Sequence, residues 1–577
     1  MTRTRSQGAR DALVARAADL VVDAFDDYNA RFADITRRAR RRFEQRDWAG
    51  ARRDAVDRIR LYDDCIAETI ARLEQRLAER LFSRTLWIDI HAGYAERIAG
   101  LLDAELYKTY FNTLTRRLFK TRGVDPKIEF VALDIEPTDR ITHPVARHIY
   151  SISEEPVRVI RRMLADYRFR PDYASPDGDA TALAGRLVRE FDALGESGPV
   201  SIELLQVVFY RDRRAYLVGR VFGPKRWLPC VIVLINGGDG IRVDAVLTRR
   251  RQVSVLFGYT HSYFHADLPT VGDAVVFLRS LLPDKPLDEL YTVLGRAKQG
   301  KTERYRHFFR HLEARRHECL VEAEGTPGLV MVVFTLPSYP LVFKVIRDRF
   351  GPGKSQGRDG VLEQYHLVFH HERVGRLVDA QEYRDLSFPR NQFSEALLEE
   401  LLAACGRTVS VKRDRVVLGH CFVQRRVRPL NLFVREAGAD AVDSIVTDFG
   451  QAIKDLARSN IFPGDLFLKN FGVTRSNRVV FYDYDEVRLV TDCHFKPIPP
   501  ARFEEQELSD ETWFPVEGSD VFPEQFDRFI DLSPGQRKRL AEIHGELFDP
   551  DWWCGLQERL AGVEAMDVPP YPSSACL

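Results

Sequence analysis

Apolar side chains recur every three or four residues through the first part of the chain. The clearest run, Ile59, Tyr62, Ile66, Ile70, Leu73, Leu77 and Leu81, falls on one stripe of an α-helix. The same spacing predicts a helix-rich region from Asp11 to about Asp172. Between Val200 and Val255 the period shortens toward that of strands. Ser201 to Tyr210, Ala215 to Val221 and Cys230 to Ile235 read as strands, the last turning through Asn236-Gly237-Gly238-Asp239-Gly240 into Ile241 to Leu247. Helical spacing returns from Pro286 to about Glu318, and a domain boundary is placed there.

Past Cys319 the texture changes again. An apolar segment, the loop Gly325-Thr326-Pro327-Gly328, the run Leu329 to Leu336, the turn Pro337-Ser338-Tyr339-Pro340 and the run Leu341 to Ile346 read as strand, glycine loop, strand, turn, strand. The last strand carries one cation, Lys344, between Val342 and Ile346. Helical spacing resumes in Val361 to Phe369, Leu397 to Ala404 and Val442 to Leu456. Beyond Asn460 a loop and two short strands precede a mostly helical tail. The expected fold class is α+β: residues 1–318 form a mostly helical domain with a small β element, and residues 319–577 a small β-rich lobe followed by a larger α-rich one.

Composition narrows the classes of partner. With 45% hydrophobic and 29% charged residues over 577 positions, the chain has the profile of a folded globular protein. Lys plus Arg and Asp plus Glu both number 85, so no global positive field recruits nucleic acid or anionic lipid. The run Arg37, Arg38, Arg40, Arg41, Arg42 lies among Asp34, Glu44, Asp47 and Asp54 and reads as a solvated helix face rather than an RNA arm. Eight scattered cysteines without C-x-x-C or Cys/His metal spacing predict reduced thiols and a cytoplasmic protein. Met1 to Leu13 lacks the apolar core of a signal peptide, and Pro337 and Pro340 interrupt the most apolar stretch, Leu329 to Ile346. Neither export nor a membrane span is expected.

Asn460 to Val487 carries the densest chemical signal. Asp465, Asn470 and Asp483 stand five and thirteen residues apart. Phosphoryl transfer needs a carboxylate that orients or deprotonates the nucleophile, then an Asn and an Asp that hold metal ions against the phosphates. A protein-kinase catalytic loop spaces its Asp and Asn in this way, and Val479 to Tyr482 would be the strand that delivers Asp483. Lys344 follows Gly328 by sixteen residues, close to the separation at which a kinase lysine pairs the α- and β-phosphates. Glu363, nineteen residues on, is the candidate partner of that lysine, in competition with Glu372 and Glu382.

Three other motifs fail on their own terms. Gly353-Lys354-Ser355 ends like a phosphate loop, but the first glycine would fall on Asp348, so it reads as a linker. Asp448-Phe449-Gly450 spells the kinase metal tripeptide, yet it precedes the catalytic loop and reads as part of a helix. His366 and His370 share a helical face but lack a glutamate after the first histidine and a third ligand, so they read as structural.

On these residues the chain resembles the bacterial isocitrate dehydrogenase kinase/phosphatase family across essentially its full length. The resemblance rests on Val342-Phe343-Lys344-Val345-Ile346-Arg347-Asp348-Arg349-Phe350, His420-Cys421-Phe422-Val423, Pro429-Leu430-Asn431-Leu432 and above all Asn460 to Glu486. It implies a bilobal protein-kinase-like domain preceded by a mostly helical regulatory domain that senses AMP. It further implies a single nucleotide site that phosphorylates a serine of NADP-dependent isocitrate dehydrogenase, inactivating it, and also removes that phosphate. Carbon is thereby divided between the citric acid cycle and the glyoxylate bypass. Carried over by motif, the ATP loop is Ala323, Glu324, Gly325, Thr326, Pro327, Gly328 and Leu329, and the ATP lysine is Lys344. The catalytic carboxylate is Asp465, and Asn470 and Asp483 hold magnesium, with manganese as the alternative. Asp379, in Val378-Asp379-Ala380-Gln381-Glu382-Tyr383, becomes an acid important to the phosphatase reaction. ADP and AMP are the implied effectors and the dehydrogenase the implied protein partner. The oligomeric state is left open, with a homodimer among the options.

The chain departs from ordinary kinases at points that matter chemically. Gly464-Asp465 stands where His-Arg-Asp would be, Phe467 replaces the lysine two residues after the Asp, and Asp483-Tyr484-Asp485 replaces Asp-Phe-Gly. Lys469 is the candidate for the missing cation. Asp485 adds a carboxylate beside the metal ligands that can orient water, which makes it a candidate catalytic group. No Ala-Pro-Glu segment follows, which points to the loop around Cys493 to Asp510 for substrate docking. The enzyme alternative is a kinase-fold phosphotransferase for a small molecule. A pseudokinase scaffold is disfavoured because Lys344, Asp465 and Asp483 are all present.

Overall fold

A computed structural model describes residues 2–121, 123–130, 145–152, 154–258, 263–351, 357–371, 375–464, 466–500, 514–562 and 567–577. The chain divides into two compact units. One comprises Met1–Arg316, Asp385–Ser387 and Tyr571–Leu577; the other comprises His317–Arg384 and Phe388–Pro570.

The first unit opens on α1 (Thr2–Gln45) and α2 (Trp48–Leu77), followed by α3 (Arg84–Ile98) and α4 (Ala104–Phe119). Their apolar stripes meet around Phe25, Tyr28, Ile66, Leu73, Trp87 and Tyr110, all buried. The arginine run differs from a simply solvated face. Arg42 donates to Asp54 at 2.8 Å and Arg38 lies 3.5 Å from it, while Arg40 pairs with Glu44 on its own helix. Asp54, on α2, is buried with 4% side-chain exposure, so two arginines clamp α1 to α2.

The region read as helical to Asp172 is broken by β1 (Arg147–Ser151) before α5 (Pro156–Asp166) and α6 (Pro176–Asp192). A single five-residue strand carries too little period to stand out between helices. The sheet adds β2 (Ser201–Leu205), β3 (Phe209–Arg211), β4 (Arg214–Phe222), β5 (Trp227–Asn236) and β6 (Ile241–Leu247), antiparallel in the order β1-β2-β4-β5-β6, with β3 on β4. Four helices follow: α7 (Arg250–Leu256), α8 (Val271–Leu281), α9 (Leu287–Val293) and α10 (Ala297–Ala314). Helix therefore resumes before Pro286. In α8, Val271, Ala274, Val275, Leu278 and Leu281 are buried at the spacing of one helical face, with Arg279 and Ser280 exposed on the other. The last residues of the chain return to this unit: Cys576 bridges Ala245 on β6, and Tyr571 and Ala575 are buried.

The second unit begins with β7 (Val321–Glu322), β8 (Met331–Thr335), β9 (Leu341–Ile346) and α11 (Arg358–His371), then β10 (Ala380–Pro389), α12 (Glu395–Ala404), β11 (Val409–Lys412) and β12 (Arg415–Arg425). Its sheet runs β10-β12-β9-β8-β7, with β11 on β12. After β13 (Arg428–Pro429) come α13 (Leu430–Glu436), α14 (Ala439–Arg458), β14 (Ile461–Phe462), β15 (Phe471–Val473), β16 (Val479–Phe481), β17 (Arg488–Leu489), β18 (His494–Phe495) and β19 (Asp520–Val521). The chain ends this unit in α15 (Phe526–Phe529), α16 (Pro534–His544) and α17 (Pro550–Ala561). Asp448-Phe449-Gly450 lies inside α14, with Phe449 in the core and Gly450 against His544 of α16. Among the described residues no helix is long and apolar enough to cross a membrane.

Candidate active site

Lys344 sits in the middle of β9, opposite Phe422 on β12 and Val333 on β8. Directly opposed residues share a face, so Lys344 and Phe422 project together. The lysine is 3% exposed. Its Nζ donates to the carbonyl of Tyr482 at 2.7 Å, lies 3.5 Å from the Tyr365 hydroxyl, and stands 5.2 Å from the centre of the Tyr482 ring. Burial pulls the pKa of this ammonium down, opposed by the nearby carboxylates of Asp483 and Asp485.

The thirteen-residue gap between Asn470 and Asp483 is a β-hairpin. β15 and β16 pair Phe471 with Phe481 and Val473 with Val479, and the turn between them carries Asn477 at φ 50°. At the open end of this hairpin the Tyr482 N–H donates to the Asn470 carbonyl at 3.1 Å, which sets Asn470 next to the segment bearing Asp483. Asn470 is 8% exposed. Asp483 and Asp485 are half-buried and flank Tyr484, which is fully buried and edge-on to Tyr365 with ring centres 5.1 Å apart.

Asp379 joins the same place from a distant part of the sequence. Leu377 bridges Phe481 in parallel, the Val378 N–H donates to the Phe481 carbonyl at 3.2 Å, and the Tyr484 hydroxyl donates to the Val378 carbonyl. Asp379 is the next residue and is 7% exposed. Behind this junction Arg376, 3% exposed, donates to Asp448 at 2.9 Å, to Asp455 at 2.8 Å and to the Val479 carbonyl at 3.0 Å. One guanidinium therefore fastens the hairpin to α14. The two carboxylates flanking it hold Arg376 protonated against its burial.

Asp465 lies outside the described residues. Its neighbour Gly464 has φ 80°, and a Cβ there would stand 2.5 Å from the Glu486 carbonyl oxygen, so only glycine fits. The loop Ala323 to Leu329 is the largely exposed connection between β7 and β8, with Gly325 at φ 135° and Glu324 paired with Arg428. Lys469 is exposed and lies over Phe467, its Nζ 5.2 Å from the ring centre. Gly353-Lys354-Ser355, Glu372 and the His370 side chain fall outside the described residues, as does the docking loop from Ala501 onward.

The structure does not bring Glu363 to Lys344. On α11 the inward residues are Val361, Tyr365 and Val368, and Glu363 is about 200° round the helix from Tyr365. Its side chain is exposed and lines an open surface pocket with Gly357, Gly360, Gln364 and Leu367. Glu382 is engaged elsewhere, 3.2 Å from His420 Nε2 and 2.9 Å from Arg384, with His366 at 3.8 Å. The close approach of His420 is the main cause that holds its carboxyl well below the usual range. Sequence reasoning missed Tyr365, Tyr482 and Arg376. Tyr482 had a readable signal in its place immediately before Asp483, whereas the packing of Arg376 joins residues 72 and 79 apart.

Residues 318–573 match the isocitrate dehydrogenase kinase/phosphatase (AceK) kinase domain, and residues 18–316 match the regulatory domain of the same family. The chain belongs to this family. It is 55% identical over 566 residues to an isocitrate dehydrogenase kinase/phosphatase of Xanthomonas campestris pv. campestris (strain 8004), covering 98% of this chain and 97% of that protein. A protein of the same name from Xanthomonas axonopodis pv. citri (strain 306) is 56% identical over 570 residues, covering 98% of each. Another from Anaeromyxobacter sp. (strain Fw109-5) is 42% identical over 561 residues, covering 97% of each. Lys344, Asp379, Asn470, Asp483 and Asp485 all lie within the span matched by the family's kinase domain.

Proposed function

We propose that this chain phosphorylates a serine of NADP-dependent isocitrate dehydrogenase and removes the same phosphate, using ATP at the site around Lys344. The observation that carries the reading is the convergence of Lys344, Asn470, Asp483 and Asp379 on one hairpin mouth, inside a chain matched nearly end to end by kinase/phosphatases. The full-length match leaves the small-molecule phosphotransferase without support.

In this reading Ala323 to Leu329 covers the phosphates and Lys344 pairs the α- and β-phosphates. Asn470, Asp483 and Asp485 offer the hard oxygen donors that magnesium takes. A bound divalent cation would neutralise phosphate charge. Asp465 accepts the serine proton during transfer. Phosphate removal is the work of Asp379 and Asp485, which orient water. Two routes share these residues: transfer to ADP followed by hydrolysis of the ATP formed, or direct attack of water on phosphoserine. The first unit is the regulatory, AMP-sensing part and the second the catalytic part, acting in the cytoplasm on flux between the citric acid cycle and the glyoxylate bypass.

The test incubates the purified protein with Mg-ATP and isocitrate dehydrogenase, following phosphoserine and dehydrogenase activity together, with Asp465→Ala as control. Phosphate on serine should rise as activity falls, and both should reverse under ADP and AMP; an unmodified dehydrogenase refutes the substrate assignment. Loss of reversal when ADP is withheld selects the transfer route.

A further inference from the structure

A kinase lysine is usually held by a glutamate from the adjacent helix. Here that helix turns its glutamate away, and a tyrosine stands in the inward position. We propose that a cage made by the carbonyl and ring of Tyr482 and the hydroxyl of Tyr365 replaces the helix glutamate, so that Tyr365 and Tyr482 position Lys344 for the nucleotide. The inference rests on the reading of Lys344 as the nucleotide lysine.

Both tyrosines are fixed. Tyr365 is fully buried, stacked on Phe422 with centroids 4.1 Å apart and planes 20° apart, and its hydroxyl also reaches Met331 Sδ at 3.5 Å. Tyr482 is tied at three points: its N–H to the Asn470 carbonyl, its hydroxyl to the Lys469 carbonyl, and its own carbonyl to Lys344. Gln424 Nε2 reaches the same carbonyl at 3.4 Å.

The arrangement has a chemical consequence. A lysine bound to a glutamate shares its charge with that partner. A carbonyl, a ring face and a neutral phenol orient the ammonium and add no negative charge of their own. Because Tyr482 precedes Asp483 directly, the lysine is held from the segment that bears the metal ligands. The carbonyl and ring that hold the lysine thus share one piece of chain with the metal ligands, while Tyr365 reaches the lysine from α11.

The test measures KM for ATP, kcat and binding of a fluorescent ATP analogue in the full-length protein. Glu363→Ala should leave KM within about twofold. Tyr482→Leu, which removes the ring face, should raise KM about fivefold with kcat nearly unchanged, and Tyr482→Phe should restore it. Tyr365→Phe should raise KM about twofold. A tenfold or greater rise in KM for Glu363→Ala, or an unchanged KM for Tyr482→Leu, overturns the cage. Lys344→Met separates the two levels: if it binds the analogue as tightly as the wild type, the nucleotide-lysine reading itself is wrong. Melting temperatures equal to wild type show that a KM effect is local and not a loss of fold.

Discussion

Glu303 offers a test of the electrostatics of the first unit. It lies on α10 with 1% side-chain exposure, and its carboxylate accepts from Gln299 Nε2 at 2.7 Å and from Arg306 at 3.0 Å. Arg306, itself 2% exposed, also reaches Glu105 of α4 at 2.8 Å, and Glu105 takes a second cation from Lys108. Two carboxylates thus share one buried guanidinium, and Tyr291 of α9 adds a further group nearby. Burial raises the Glu303 carboxyl from its ordinary 4.5 to about 7, against the pull of Arg306. A folded-state pKa above the unfolded one favours the protonated form. The associated stability is complete below about pH 4.5 and is lost as pH rises through about 7. The whole effect is about 3 kcal/mol, at about 1.4 kcal/mol per pH unit, with roughly 2 to 3 kcal/mol falling between pH 5 and 8. Glu303→Gln removes the ionisation while keeping shape. Relative to the wild type, the variant should gain stability steadily as pH rises, its melting temperature for this unit overtaking by roughly 4 °C at pH 8. Scanning calorimetry of both proteins from pH 5 to 8 checks this. Parallel profiles, within about 1 °C of a constant offset, would refute the reasoning.

Arg376→Met strands Asp448 and Asp455 without their cation and should cost the second unit about 3–5 kcal/mol in chemical denaturation; a loss below about 1 kcal/mol would contradict the anchoring role. Gly450→Ala drives a methyl into the His544 ring and should destabilise the same unit by about 1–3 kcal/mol. Tyr571→Phe removes the hydroxyl that accepts from Arg214 Nε at 2.7 Å and donates to Asp244, and should lower the melting temperature of the first unit, worth about 1–2 kcal/mol. Asp379→Ala should impair dephosphorylation of phosphoserine more than its formation; equal losses of both would count against a selective role.

The sequence made strands legible where apolar runs of strand length are bounded by turn residues. Ile241 to Leu247 and Leu341 to Ile346 coincide with β6 and β9. Sequence reasoning failed where the element is short, as in β1, and it passed over the readable helical period of α8. The spacing of Asn470 and Asp483 was informative because a tight hairpin fixes how much chain can separate two groups at its mouth. Asp379 could be attached to that mouth only by resemblance, since its contact is a parallel bridge across 104 residues. Glu363 misled for a different reason. A helical run says that some residue faces the sheet, but two positions along a helix is just over half a turn, so the choice between 363 and 365 decides which side chain faces inward.

The charge balance of the site follows from that half-turn. With Glu363 outside, the negative charge facing Lys344 comes from Asp483 and Asp485, on the segment that would also face a metal ion and the phosphates. A carboxylate on a separate helix would compete with the phosphates for the lysine in both directions of the reaction. In the proposed reading, a bound divalent cation would neutralise the carboxylates of the metal-binding segment and leave Lys344 to the nucleotide. Asp485 would then help set how strongly Lys344 depends on that cation. Kinase activity should then show a steeper loss on lowering free magnesium in Asp485→Asn than in Glu363→Gln, measured at fixed total ATP. Equal magnesium dependence in the two variants would show that Asp485 takes no part in the balance.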